Sequence, residues 1–164
     1  MKHHIIMPSI VSISGYKFLP IVNPVSLRPR FRNECLRLGL KGTILVSKEG
    51  INVLLSGERT SLEEFLVFLK ADERFSDMTF KESLTDHQPF NRMLVRLKKE
   101  IIAFDFVMDG SVKPGQYVQP QVLKQWLDEK RDVILLDTRN DYEIRVGTFE
   151  NAVTPPMKSF KDFK

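Results

Sequence analysis

An acid, an arginine and a second acid, Asp137, Arg139 and Glu143, follow directly on an apolar run from Val133 to Leu136. A short buried strand that breaks off in charge reads as the rim of a site, because groups at the carboxyl ends of strands in open α/β sheets face the ligand crevice. The spacing allows two readings. Arg139 and Glu143 stand four apart and can pair across a helical turn, while Asp137 takes backbone or guanidinium hydrogen bonds; the trio then only shapes the rim. In the other reading Arg139 reaches a substrate or a neighbouring reactive loop.

Nucleophilic chemistry has little else to draw on. The one cysteine is Cys35. It shares an apolar helical stripe with Leu27, Phe31 and Leu38, where a free thiol acts as a small hydrophobe. A reactive thiol needs an exposed, electropositive setting instead. The outer face of that helix carries Arg28, Arg30, Arg32 and Arg37 against Glu34, which is either a solvated face or a phosphate-facing patch. His3, His4 and His87 offer no ligand spacing, so no metal site and no iron triad is predicted, and the sequence identifies no cofactor. A lone cysteine forms no internal disulfide, which fits a reducing cytoplasm. No apolar run approaches the ~20 residues of a membrane helix, and the first residues are too polar for a secretory signal.

With 25 Lys+Arg against 21 Asp+Glu the net charge is +4 and the pI about 9.2, which permits nucleic-acid binding without requiring it. Lys48 and Asn52 flank a turn, and Arg92, Arg96, Lys98 and Lys99 cluster further on. These six are the candidate RNA contacts; the alternative is a basic strand that is merely solvated. Phosphate neutralisation by such residues would make affinity fall with salt.

The elements that must position these residues follow from periodicity. Residues 1–11 read as a lead-in and Ser12 to Ile21 as a strand. A helix capped at Ser26 puts Pro29 in its first turn and ends at Gly39. Gly42–Ser47 and Ile51–Ser56 form a hairpin across Lys48-Glu49-Gly50. Ser61 and Glu64 fit a capping box for a helix carrying Leu62, Phe65, Leu66 and Leu69. Phe80 to Leu84 and Met93 to Ala103 are strands, the latter with Val95 and Leu97 facing in, separated by a polar loop from Thr85 to Arg92. This order is the split βαβ, ferredoxin-like arrangement over 12–104, with one strand added. Residues 105–117, with Gly110, Pro114 and Gly115, read as a linker. From 118 to 164 a short strand at Val118, a helix opened by Pro120 and the Val133 strand suggest an α/β layer, shorter than an independent domain.

Two segments carry a resemblance. Gly42-Thr43-Ile44-Leu45-Val46-Ser47-Lys48-Glu49-Gly50-Ile51-Asn52 resembles the KGTLLLAREGIN segment of a bacterial family with an N-terminal ferredoxin-like domain and a C-terminal rhodanese domain. Phe75, Lys81-Glu82-Ser83, Gln88-Pro89-Phe90 and Arg96 to Ile101 fit the same pattern. Asp137-Thr138-Arg139 through Glu143, with Gly147-Thr148-Phe149-Glu150, resembles the first half of the rhodanese domain, where Thr148-Phe149 replaces the usual His-Ile.

The chain is thereby identified as similar to the tRNA uridine(34) hydroxylases of the UPF0176 type. The resemblance implies an α+β chain: an acylphosphatase-like βαββαβ domain, then the first part of an α/β rhodanese-like domain. It implies oxygen-dependent 5-hydroxylation of the tRNA wobble uridine, with tRNA as partner and molecular oxygen as co-substrate. The family's essential cysteine lies in a Gly-Gly-containing loop beyond Lys164. The chain is therefore expected to be truncated and inactive alone. A rhodanese-type sulfurtransferase and a non-catalytic RNA- or protein-binding module are the competing readings. Nothing in the sequence sets the oligomeric state.

Overall fold

The computed structural model describes residues 10–101 and 115–163. The rest, including His3, His4, Ile102 and Ala103 at the expected end of the last strand, and most of the expected linker, lies outside the described residues. The chain divides into two compact units, one built on 10–101 and one on 115–163.

The first unit runs β1 (Ile10–Phe18), α1 (Pro24–Arg37), β2 (Lys41–Ser47), β3 (Gly50–Glu58), α2 (Arg59–Lys70), β4 (Lys81–Thr85) and β5 (Met93–Leu97). The sheet order is β4-β1-β3-β2-β5. β1 through β4 are antiparallel neighbours, and β5 adds parallel to β2. This is the ferredoxin-like order with a fifth strand on one edge.

Both helices cover one face of the sheet. Ile44, Val46, Ile51, Val53 and Leu55 on that face are fully buried, beneath Leu27, Phe31 and Cys35 of α1 and Leu62, Phe65 and Leu69 of α2. Phe31 meets Phe68 and Phe75 edge to face at 6.4 and 6.0 Å. Each such side chain contributes roughly 1.5–3 kcal/mol by leaving water. Leu97 has the inward parity expected of it, opposite Val46, yet is 38% exposed because β5 is the sheet's edge and ends at Leu97.

The helix starts differ from expectation. α1 begins at Pro24, with the Asn23 side chain accepting from the Ser26 N–H at 3.3 Å. Asn23 is as good a cap as Ser26, and Pro24 fits the first helical position, so the helix nucleates earlier and Pro29 falls inside it. Its end is as read: Gly39 adopts φ +67°, its N–H bonds the Leu36 carbonyl, and the Leu40 N–H reaches Cys35. α2 starts at Arg59, directly off β3, so the Ser61–Glu64 capping box does not form. Glu64 instead accepts from Arg37 at 2.6 Å, and Arg37 also holds Glu34, which ties the two helices together. β1 likewise starts early: Ile10 and Val11, assigned to the lead-in, pair with Glu58 and Gly57.

Glycines at both ends of the β2–β3 hairpin let the strands close. Gly42 (φ +132°) and Gly50 (φ +148°) lie where a Cβ would strike the carbonyl oxygens of Leu54 and Lys17. In the second unit, α3 (Pro120–Asp128) forms with Pro120 at its first position, and Leu123, Trp126 and Leu127 are half-buried. Val118 forms no strand. The Val133–Leu136 run is not the buried strand expected: Ile134 is 82% exposed, and a single parallel bridge, Leu136 to Val153, is its whole pairing among the described residues. An apolar run becomes a strand only with neighbours to complete its ladder.

Gly42→Ala should cost about 3 kcal/mol or more, read as a lowered urea midpoint at unchanged slope. Asp72 accepts from the side chain and backbone of Arg74 and from Arg30, and Arg74 above all holds its carboxyl down to about 2. Because the folded value lies below the unfolded one, its contribution is full above about pH 4 and is lost as pH falls toward 2. Asp72→Asn should therefore flatten the acid limb of stability in that window.

Candidate functional site

The described part of the second unit organises itself around one carboxylate. Asp137 follows the bridge residue Leu136, and its own N–H bonds the Val153 carbonyl at 2.9 Å. Its side chain is 9% exposed. Arg139 donates to it through Nε at 2.9 Å and Nη2 at 2.6 Å, the Arg139 backbone N–H adds a bond at 3.1 Å, and Thr148 Oγ1 donates at 2.7 Å. Nη2 also reaches the Gly147 carbonyl at 2.7 Å. The Arg139 fork and the Thr148 hydroxyl hold the Asp137 carboxyl far below the usual carboxylate range.

That arrangement decides what Asp137 can do. A general base works best with a pKa near the operating pH. A carboxylate so depressed, with its lone pairs already taken, is a poor proton acceptor and a good strut. Arg139 is half exposed but already neutralised, so a substrate anion would have to compete with Asp137 for it. The expected Arg139–Glu143 pair does not form. Glu143 lies in the short helix α4 (Asp141–Ile144), where it accepts from the Asn140 N–H at 3.1 Å and from Asn140 Nδ2 at 2.8 Å. Arg139 instead spends its guanidinium on Asp137 and the Gly147 carbonyl.

A cavity of about 460 Å³ opens beside this network, lined by Leu135, Leu136, Phe149 and Ala152 with Asp137, Arg139, Gly147 and Thr148. Its lining is chiefly apolar with one charged pair on its wall. Thr148 and the Gly147 carbonyl were missed by sequence reasoning, since nothing in an eleven-residue separation announces a hydroxyl–carboxylate bond. The cysteine is elsewhere: Cys35 is fully buried in the first unit's core, and burial first, then the charge of Glu34, pushes its thiol up to about 12. Among the described residues no cluster of three metal-ligating side chains occurs, and no helix is long and apolar enough to cross a membrane.

The six basic and amide candidates lie on the first unit. Asn52 and Arg96 share one cross-strand row, Arg96–Leu45–Asn52–Tyr16, on the sheet face opposite the helices. Lys48 in the hairpin turn and Lys98 just past β5 stand at one end of the sheet, where the Lys98 N–H bonds the Val46 carbonyl. Lys99 follows Lys98. Arg92 lies at the opposite end of β5, its carbonyl accepting from Gly42. Lys48, Arg92, Arg96, Lys98 and Lys99 are exposed, and among the described residues none is in an ion pair. Of the α1 arginines, Arg30 and Arg37 are engaged with Asp72 and with Glu34 and Glu64, while Arg28 and Arg32 are exposed. His87 is exposed, in contact with Asp86 and Thr85.

Strand order, helix placement and the bracketed hairpin make residues 10–101 an acylphosphatase-like ferredoxin fold with an added strand. A family model described as the UPF0176 acylphosphatase like domain matches those same residues, 10–101, and the chain belongs to that family. It is similar to proteins named tRNA uridine(34) hydroxylase: 48% identical over 163 residues to that of Cupriavidus taiwanensis, covering 94% of this chain and 57% of the relative. It is 46% identical over 164 residues to that of Thiobacillus denitrificans, covering 94% and 65%. The chain thus spans less than two thirds of the length of these curated relatives. Among solved structures, an acylphosphatase from Coxiella burnetii aligns at TM-score 0.37 with 14% identity, over 58% of this chain and 100% of that one.

If Asp137 is the strut, Asp137→Asn should free the 147–149 loop. Amide exchange at Thr148 and Phe149 should speed up by about tenfold or more, while exchange in β2 and β3 stays unchanged.

Proposed function

We propose that this chain is the N-terminal part of a cytoplasmic tRNA-modifying enzyme that hydroxylates the wobble uridine at carbon 5, with molecular oxygen as co-substrate. One observation carries this reading: the similarity to the named hydroxylases extends over 94% of the chain, through both units and well past the 10–101 domain. In this reading 12–104 is the ferredoxin-like domain, 105–117 the linker, and 118–164 the opening of a rhodanese-like domain. The wealth of exposed apolar side chains in the second unit, Ile134, Leu136, Val146 and Phe149 among them, supports a layer that further chain covers.

The 164 residues alone bind rather than react. Their single thiol is sealed in the core, and Asp137 and Arg139 neutralise each other. The reacting sulfur comes from a loop beyond Lys164, and the Asp137–Arg139–Thr148 network positions the wall of its pocket. Lys48, Asn52, Arg92, Arg96, Lys98 and Lys99 form the tRNA surface, with the five cations meeting phosphates and the Asn52 amide free to read a base edge.

Two experiments on the longer protein test this. Aerobic turnover should convert unmodified wobble uridine to its 5-hydroxy form, and thiocyanate formation from thiosulfate would point to sulfur transfer instead. Reversing two charges, Arg96→Glu with Lys98→Glu, should weaken tRNA binding about tenfold or more and lower the salt slope by about two. An unchanged slope would remove the patch from the tRNA surface.

A further inference from the structure

The helices leave the second sheet face uncovered, and its composition is specific. The Tyr16 ring, 59% exposed, projects from it. Phe18, next but one along β1, meets Tyr16 edge-on at 5.8 Å and 72°, which fixes the ring's attitude. Leu45, Leu54 and Leu94 add apolar surface, and Asn52 places an amide between Tyr16 and Leu45. The Ser56 end is closed, since Gln88 Nε2 donates to the Ser56 carbonyl and Ser12 bonds Ser56. At the other end Tyr16 is exposed, while Ser47, one row beyond it on the same face, is buried.

Charge selects the occupant. Lys41, Lys81 and Arg96 have the parity of this face, on β2, β4 and β5, and among the described residues none is in an ion pair. Glu58, at the far end of β3, is the one carboxylate of that parity among the described strands. Lys48 and Lys98, both exposed, border the Tyr16 end. A face with an aromatic ring, a central amide and flanking unpaired cations suits a ligand that is planar and apolar in its bases and anionic in its backbone.

We infer that this sheet face, centred on the row Arg96–Leu45–Asn52–Tyr16, is a stacking platform for unpaired nucleotides of an RNA strand. The row crosses three strand gaps, about 14 Å, which is room for the two or three splayed bases that a four-stranded sheet can hold on its aromatics. Tyr16 stacks one base and Asn52 hydrogen-bonds a base edge. Arg96 pairs with a phosphate or stacks on a second base. Duplex RNA is excluded, because its bases offer no free π-face. The inference rests on the proposed RNA partner and adds to it a single-stranded target and a ring that no charge argument requires.

The test uses a fluorescein-labelled oligouridine octamer and the 164-residue chain, followed by anisotropy at several salt concentrations. Tyr16→Ala and Tyr16→Leu should each lose about tenfold or more in affinity with the salt slope unchanged, and Tyr16→Phe should stay within about twofold of the parent. Thermal melts of all three should match the parent, since the ring is mostly exposed. The platform falls if the parent fails to bind the octamer. It also falls if Tyr16→Ala binds as well as the parent, or if Tyr16→Leu binds as well as Tyr16→Phe. The two readings fail separately. Ring-dependent octamer binding alongside a longer protein that leaves wobble uridine untouched keeps the platform and discards the hydroxylase. A longer protein that hydroxylates tRNA alongside a Tyr16→Ala chain of undiminished affinity does the reverse.

Discussion

One-sided burial of the five-stranded sheet is the constraint from which the first unit's other features follow. Val11, Ile13, Ile44, Val46, Ile51, Val53 and Leu55 turn toward the helices and leave water together. Because side chains alternate along a strand, that choice sends Tyr16, Asn52, Leu54 and Arg96 to the other side. The same alternation that builds the core builds the open face. A slip of one residue in β3 would bring Asn52 inward and Val53 outward, so the hydrophobic interior and the proposed contact surface share one register.

The glycines at 42 and 50 show how that register is enforced. Each sits with positive φ against a neighbouring strand's carbonyl, and each brackets the β2–β3 hairpin. Their place in the Gly42-to-Asn52 segment then has a physical cause. The segment needs backbone-to-backbone approach at both ends, whatever the chemistry downstream. The second unit follows a different logic: short loops pulled together by a charged network, with an apolar run that finds a single bridge.

The legible part of the fold was the part governed by periodicity. The α1 stripe of Leu27, Phe31 and Cys35, the hairpin and the left-handed stop at Gly39 all follow from spacing. Helix starts were not legible to the same degree, because Asn23 and Ser26 are both competent caps and sequence alone does not rank them. The Ser61–Glu64 pattern misled for a related reason: Glu64 had a partner, but it was Arg37, distant in sequence. In the second unit, Val133 to Leu136 has the composition of a strand, yet strand identity is a property of neighbours. The acid–arginine pairing at Asp137 was foreseeable. Its closure through Thr148 and the Gly147 carbonyl depends on a loop path that no short-range pattern encodes.

The sealed position of Cys35 has a practical side. The chain's only thiol is inaccessible and held in its protonated form, so the parent sequence already behaves as a cysteine-free background under native conditions. A cysteine introduced on the surface would be the sole attachment point for a spin label, fluorophore or cross-linker, with no need to disturb the packing of α1 by first replacing the native one.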